Sequence, residues 1–316
     1  MLTIDRRRFL TGAGVVAAGS IGLAGYASAY EAGYRLDLTS YKVSPPNWPA
    51  NLTLKIAVIA DIHACEPWMP AERIAGIVDL ANAQKPDIAV ILGDFVCTHR
   101  FVTGYVAPGA WAEQLARLEA PLGVHAILGN HDWWSAAIPT NPPDNAQSVR
   151  KALAGAKIPL LENCAIQLAL NGRSFWLVGL GDQLAHHLAR RVNRGDDDLA
   201  GSLRQVNDSA PVILLAHEPF IFPRVPDRVA LTLSGHTHGG QVKFPLIGTP
   251  FAPDSPYSTK RYVYGDYQEG GRHLIVSGGL GTSYAPVRFG VPPEVVMVTV
   301  GAVTPERPRP RRFQAP

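Results

Sequence analysis

Apolar residues in this chain fall into short, β-branched runs, and five of those runs stop at a histidine, an aspartate or an asparagine. Residues 54–60 lead into Asp61-Ile62-His63, and 88–92 into Gly93-Asp94. Residues 124–128 end in Gly129-Asn130-His131-Asp132, 212–216 in His217, and 229–233 in Ser234-Gly235-His236-Thr237-His238. Short runs without polar alternation predict strands buried on both faces. Residues 165–169 and 175–179 predict two more strands, joined by Asn171-Gly172 as a hairpin-type turn. Late strands are expected at 274–277 and 295–300. Helical spacing of Ile74, Ile77, Val78 and Ala81 predicts a helix over 71–83, ended by Lys85-Pro86. Further helices are expected over 110–118 and 146–153. Residues 182–209, polar and mixed in sign, read as a loop and a helix. Strands alternating with helices argue for an α/β fold of parallel β-α-β units, whose function gathers at the strands' carboxyl ends.

The chain has 316 residues, 47% of them hydrophobic, enough for one large α/β domain or two small ones. No internal repeat or linker interrupts 52–300. The N-terminal segment reads as a targeting signal: Arg6-Arg7-Arg8-Phe9-Leu10 resembles the twin-arginine export motif, with Asp5 where serine or threonine is usual. A Gly/Ala-rich apolar run follows over 12–25, and Ala27-Ser28-Ala29 fits cleavage before Tyr30. That run is short for a membrane span, so a cleaved leader is expected, with an uncleaved anchor as the alternative. The expected organisation is a leader (1–29), a connecting arm (30–51), one domain (52–301) and a disordered Pro/Arg-rich tail (302–316). The leader carries +2 of the formal charge of +3, leaving +1 on the body. Charge therefore does not favour a nucleic-acid partner. The three cysteines, Cys65, Cys97 and Cys164, are too few for a disulfide framework and show no zinc-type spacing.

Chemistry gathers at the strand ends. His236 and His238 stand two apart, on one face of an extended backbone, with flanking glycines that allow a sharp turn. Each residue has a plain reading when taken singly. Asp94 suits a turn, Asn130 a cap, His217 a core position, and the His-x-His pair a polar loop. Together, Asp61, His63, Asp94, Asn130, His131, His217, His236 and His238 cap five strands of one apparent sheet, which reads as a site. Mixed oxygen and imidazole donors suit manganese, iron or zinc. They exceed what one ion needs, so two divalent ions are expected. Asp94 is the natural bridge, since a carboxylate has two oxygens.

The blocks Asp61-Ile62-His63, Gly93-Asp94, Gly129-Asn130-His131-Asp132, His217 and Gly235-His236-Thr237-His238 resemble, in order, those of calcineurin-like metallophosphoesterases. Gly278-Gly279-Leu280-Gly281-Thr282-Ser283 with Pro286-Val287-Arg288-Phe289 further resembles that family's bacterial cell-envelope branch, which includes exported phosphodiesterases and enzymes cleaving UDP-2,3-diacylglucosamine. The resemblance implies a four-layer α-β-β-α sandwich. It implies one metal on Asp61, His63, Asp94 and His238, and a second on Asp94, Asn130, His217 and His236, with a bridging water or hydroxide. His131 would be the general acid, oriented by Asp132. Phosphoryl transfer at such a site relies on positioning and charge stabilisation and needs no Ser or Cys nucleophile. Purple acid phosphatases place a tyrosine three residues after the bridging aspartate. Cys97 stands there in this chain, which argues against a redox-active iron site.

The expected function is an exported dinuclear phosphoesterase, manganese favoured, acting on a phosphodiester or pyrophosphate, with lipid-linked substrates and membrane-surface association as expectations. A catalytically weak scaffold and a nuclease of the same fold are the rivals, and oligomeric state is left open. Phe101-Val102, Tyr105-Val106 and the Tyr-rich 251–267 loop are candidate pocket walls, against ordinary surface packing. Lys243, Lys260, Arg261 and Arg288 are candidate phosphate partners. Cys65 and Cys97 end neighbouring strands, so either a disulfide or, the preferred reading, two separate buried thiols is expected.

Overall fold

In the computed structural model, residues 19–134, 145–189, 192–250 and 261–301 are described. The twin-arginine motif, Lys260, residues 251–260 and the 302–316 tail lie outside them. Strand Leu54–Ile59 shows why the architecture is layered. Ile56 and Val58 point into a core shared with Ile213, Leu231, Ile275 and Val298. Ala57 and Ile59, on the opposite face, pack with Ile74, Ile77, Val78 and Trp111 of two helices. A strand apolar on both faces needs cover on both, and here a second sheet covers one face and helices the other.

The first sheet has five strands in the order Asp37–Val43, Glu294–Val300, Leu54–Ile59, Ile88–Ile91, Val124–Ala126. Leu54–Ile59, Ile88–Ile91 and Val124–Ala126 run parallel, so their carboxyl ends lie side by side. Helices Ala71–Ala83 and Pro108–Leu115 cover the outer face. The second sheet has six strands: Gly265–Glu269, Arg272–Val276, Val229–Ser234, Val212–Leu215, Arg173–Gly179 and Cys164–Leu170. Its inner four are parallel. Its outer face packs Val178, Leu214 and Leu274 against Ile221 and Phe222, with Leu199 and Leu203 of helix Leu199–Arg204 at the edge. The result is the α-β-β-α sandwich expected from the sequence.

The two sheets are stitched together at one end. The Leu280 N–H donates to Ala60 C=O at 3.0 Å and Gly281 N–H to Asp61 C=O at 2.6 Å, carrying the loop after Arg272–Val276 onto the end of Leu54–Ile59. Within each sheet, Asp61 N–H reaches Gly93 C=O at 3.2 Å and Gly235 N–H reaches His217 C=O at 3.0 Å. These bonds extend the ladders past the strand ends and align the loops that follow.

Three strand regions escape the apolar pattern. Asp37–Val43, within the expected connecting arm, pairs in parallel with Glu294–Val300 over its whole length. It is polar and half-exposed, because an edge strand has one face to bury and a solvated flank. Gly265–Glu269 is the equivalent edge of the second sheet, and it begins within the Tyr-rich stretch expected to be loop. His186–Ala189 and Val192–Arg194 form a small ribbon within 182–209. Tyr26–Glu31, which spans the boundary between the expected leader and the expected arm, is helical and seated on the body: Ala27 C=O accepts Arg288 N–H at 2.9 Å, and the buried Glu31 carboxylate accepts Val291 N–H at 3.1 Å. Among the described residues, no helix is long and apolar enough to cross a membrane.

Trp111 is wholly buried and stacks on Phe95 with ring centroids 4.9 Å apart. Trp111→Ala should therefore cost about 3–5 kcal/mol of folding stability, the usual range for a large aromatic cavity. Urea unfolding of both proteins measures it; a loss below about 1 kcal/mol would mean that the layer repacks.

Candidate metal centre

The expected donors lie within four residues of a strand end, and at five of the seven the backbone turns into the left-handed region. Asp61, His63, Asp94, His236 and His238 all have positive φ, between 45° and 68°. Such angles are rare for residues with a Cβ and persist only where the surroundings enforce them. Two glycines make the close approach possible. A Cβ on Gly93, at φ 86°, would meet Gly129 N at 2.3 Å, and one on Gly129 would meet Asp94 Oδ1 at 2.4 Å and His217 Cε1 at 2.6 Å.

The side chains converge in two clusters that share Asp94. In one, donor atoms of Asp61, His63, Asp94 and His238 all lie within 4.8 Å of each other; in the other, those of Asp94, His217 and His236 do. His217 Nε2 and His63 Nε2 stand 3.2 Å and 3.4 Å from Asp94 Oδ2. His238 Nε2 is 3.8 Å from Asp61 Oδ1. Asn130 Oδ1 joins the second cluster, 2.8 Å from His236 Nδ1. All seven residues expected to hold metal are thus brought together, nearly all fully buried.

The clusters fit divalent cations. Asp61 Oδ2, Asp94 Oδ2 and His217 Nε2 are buried without a hydrogen-bond partner, a costly arrangement unless an ion satisfies them. The far nitrogens of two imidazoles face carbonyls, His63 Nδ1 on Val96 C=O at 3.0 Å and His217 Nδ1 on Leu92 C=O at 2.5 Å, while His238 Nδ1 lies between Gly281 C=O at 3.3 Å and the Arg288 guanidinium at 3.2 Å. A ring donating from Nδ1 turns the Nε2 lone pair into the site. His63 Nε2 and His238 Nε2 face one another at 3.1 Å, close enough for both to reach one ion. Burial pushes His63 and His236 down to about 3 and His238 well below its usual value, keeping them neutral as ligation requires. Burial also opposes charge on Asp94 and His217, but their contact overrides it. The Asp94 carboxyl is held well below the usual range and His217 well above.

His131 sits at the rim of the first cluster, its ring edge-on to His63 with centroids 4.8 Å apart. Its Nδ1 contacts Thr98 Oγ1, and its Nε2 stands 3.1 Å from Ser283 Oγ. The expectation that Asp132 orients this ring needs correction. Asp132 Oδ2 accepts the N–H groups of Asp94 and Gly129, both at 2.9 Å, and Oδ1 accepts those of Phe95 at 2.9 Å and Val96 at 3.3 Å. Asn130–Trp133 is a helical turn, and adjacent residues on a helix cannot face each other. Asp132 therefore clamps the backbone around Asp94, while Thr98 orients His131.

Arg288 also needs correction as a phosphate partner. It is fully buried, and its guanidinium donates to the carbonyls of Gly278, Gly281 and Val291. Arg261 is paired with Glu269 at 2.7 Å, and the exposed Lys243 lies 5.7 Å over the Tyr264 ring. Two carboxyls were missed. Asp182 and Glu218, both buried, bring donor atoms within 4.8 Å of His217. Burial raises the pKa of each. Asp182 stands just past strand Arg173–Gly179, so the strand-end rule that found the other residues also applies to it.

The two contacts separate by substitution. Asp132→Asn exchanges an acceptor of several N–H groups for one amide, and should cost about 1.5–3 kcal/mol in stability, the scale of hydrogen bonds to charged groups. It should also weaken metal retention, with the same rate loss on every substrate. Thr98→Val should leave metal content intact and move the pH–rate profile instead. Denaturant unfolding and metal analysis of both variants check this; equal metal loss in the two would remove the distinction.

Comparison with known proteins agrees with this geometry. The family model described as Calcineurin-like phosphoesterase matches residues 54–240. The chain is 32% identical over 302 residues to the phosphodiesterase YaeI of Escherichia coli, covering 93% of this chain and 98% of that one. It is 31% identical over 308 residues to the uncharacterized metallophosphoesterase YkuE of Bacillus subtilis, covering 95% and 99%. It is 26% identical over 287 residues to the UDP-2,3-diacylglucosamine pyrophosphatase LpxG of Chlamydia trachomatis, covering 78% and 83%. With more than half its length matched by the family model, and relatives above 30% identity along nearly all of it, the chain belongs to the calcineurin-like metallophosphoesterases and is a metal-dependent phosphoester hydrolase.

Proposed function

We propose that this protein is an exported hydrolase of phosphodiester or pyrophosphate bonds that works with two divalent ions. The observation that carries the reading is the sharing of Asp94 between two buried donor clusters. Asp61, His63, Asp94 and His238 would hold one ion, and Asp94, Asn130, His217 and His236 the other. Bound there, two ions supply an activated water at neutral pH and stabilise charge on the phosphoryl oxygens.

The chain's own residues set the rest. Neutral His63, His236 and His238 leave their lone pairs for the ions, whose charge would draw in an anionic substrate. His131 is the general acid for the leaving oxygen. Burial lowers its proton affinity in the free protein, and an arriving phosphoester anion raises it again, so the proton is held when substrate is present. Thr98 on Nδ1 leaves Nε2 pointing outward, where Ser283 Oγ marks a polar position beside the leaving group.

A lipid-linked substrate taken from a membrane surface is the finer reading. Tyr284, next to Ser283, is 76% exposed, and Leu246 and Ile247 project fully or largely into solvent at 107% and 74%. Phe244 packs on Phe289 at 5.5 Å and Phe289 on Tyr26 at 6.3 Å, so this apolar edge continues into the leader helix. The name of the Chlamydia relative points to the same substrate class. The leader motif supports export.

Asp94→Ala should release both ions and abolish activity, as should chelation, with Mn²⁺ restoring the chelated wild type. Manganese analysis after reloading is decisive: one Mn²⁺ retained at full occupancy in the variant would end the bridging assignment. His131→Ala should keep its metals and lose about 10²–10⁴ in rate on diesters with alkoxide leaving groups, the usual contribution of a general acid. The loss should be far smaller with nitrophenyl leaving groups, which depart without a proton; equal losses would make His131 a positioning residue. Assays of a nucleotide-linked diacyl sugar diphosphate, a simple phosphodiester and DNA, side by side with and without vesicles, test the substrate class. Turnover of DNA alone would overturn it.

A further inference from the structure

Outside the two clusters that share Asp94, the fold assembles another set of soft donors that neighbouring residues in the sequence do not announce. Cys65, Cys97 and His99 come from two loops, and their sulfur and imidazole donor atoms all lie within 4.8 Å of one another. All three are buried, at 1%, 0% and 6% exposure. Cys65 lies in the two-residue strand Cys65–Glu66, paired with Gly104–Tyr105. Cys97 and His99 follow the chain from Asp94 along a stretch held to that first loop by the Ala64 N–H to Phe95 C=O bond of 2.8 Å and the Ala64–Val96 bridge.

His99 separates a metal site from a simple thiol pair. Its Nε2 meets Thr282 Oγ1 at 3.2 Å, while its Nδ1 is buried with no hydrogen-bond partner. An imidazole held at one nitrogen by a second group and bare at the other is the arrangement of a metal ligand. A disulfide pair has no use for it. Two thiols and one imidazole form a donor set for zinc, distinct from the oxygen-rich set around Asp94. Both thiols give up a proton on binding, and two thiolates on Zn²⁺ leave a neutral unit, which a buried position tolerates.

We infer that Cys65, Cys97 and His99 form a third metal site, in which three protein donors would hold one Zn²⁺ and leave a fourth position to another ligand. Its place in the fold gives it a purpose. Cys97 and His99 flank Thr98, whose hydroxyl contacts His131, and Cys65 follows His63 by two residues. An ion there ties the loop bearing His63 to the loop bearing Asp94 and Thr98. The site stands on its own residues and does not depend on which reaction the paired clusters perform.

Cobalt reports it directly. Full-length protein, purified with reductant, stripped and reloaded with Co²⁺, should show a sulfur-to-cobalt charge-transfer band, which in Asp94→Ala should saturate at one equivalent per chain. The band should persist in Asp94→Ala, in which the proposed bridging carboxylate is gone, and in Cys164→Ser. It should vanish in Cys65→Ser and in Cys97→Ser, and weaken or shift in His99→Gln. Zinc analysis should find one ion retained per chain in Asp94→Ala. Should the cysteine variants fail to fold, the wild-type, Asp94→Ala and Cys164→Ser spectra decide alone. Absence of the band in wild type, its loss in Cys164→Ser, or recovery of a Cys65–Cys97 disulfide from protein purified without reductant would overturn the inference.

Discussion

The constraint on which this structure turns is the convergence of lone pairs in a volume without water. Asp61, His63, Asp94, Asn130, His217, His236 and His238 present oxygen and nitrogen to one small buried region, and three of those atoms make no hydrogen bond within the protein. Carboxylates and imidazoles so placed are unfavourable by themselves, since burial penalises the charged forms and leaves the neutral forms unsatisfied. Only cations of matching size and charge make the arrangement favourable. The ion pair of Asp94 and His217, at 3.2 Å, offsets part of that cost.

Holding that arrangement takes a rigid frame, and the frame is built largely from backbone. Five donor residues occupy left-handed φ values, a strain of order 1–3 kcal/mol each that neighbouring bonds must offset. Asp132 collects four N–H groups around Asp94 and Gly129 into one carboxylate. Arg288 gathers the carbonyls of Gly278, Gly281 and Val291 from inside the protein. Both are charged groups in positions where a sequence motif suggests chemistry, and both act on the chain rather than on a substrate. Charge-assisted bonds to backbone are well suited to this, because they fix loops without adding bulk at the site.

The frame also explains the order of the strands. Parallel neighbours bring carboxyl ends together, and the loop 277–283 crosses from the second sheet to the end of Leu54–Ile59 through Leu280 and Gly281. The site therefore sits where two sheets meet, with residues from both. Local rigidity and catalytic placement share the same hydrogen bonds.

Much of this is set by the sequence alone. Apolar runs ending in Asp, His or Asn identify the central strands and eight strand-end residues, from which the family resemblance selects seven donors, because a strand buried on both faces has no polar alternation to obscure it and its end is where polar chemistry begins. Helix Ala71–Ala83 follows from its spacing and its flanking prolines in the same local way. Tertiary structure alone decided the rest. The edge strands Asp37–Val43 and Gly265–Glu269 are polar, and only a partner strand makes them strands. The roles of Asp132 and Arg288 depend on what lies opposite them, and so does the pairing of Thr98 with His131. Cys65, Cys97 and His99 share no metal-type spacing, yet two adjacent loops bring them within reach of each other. Periodicity records which residues are buried; which groups face each other is settled when separate segments pack.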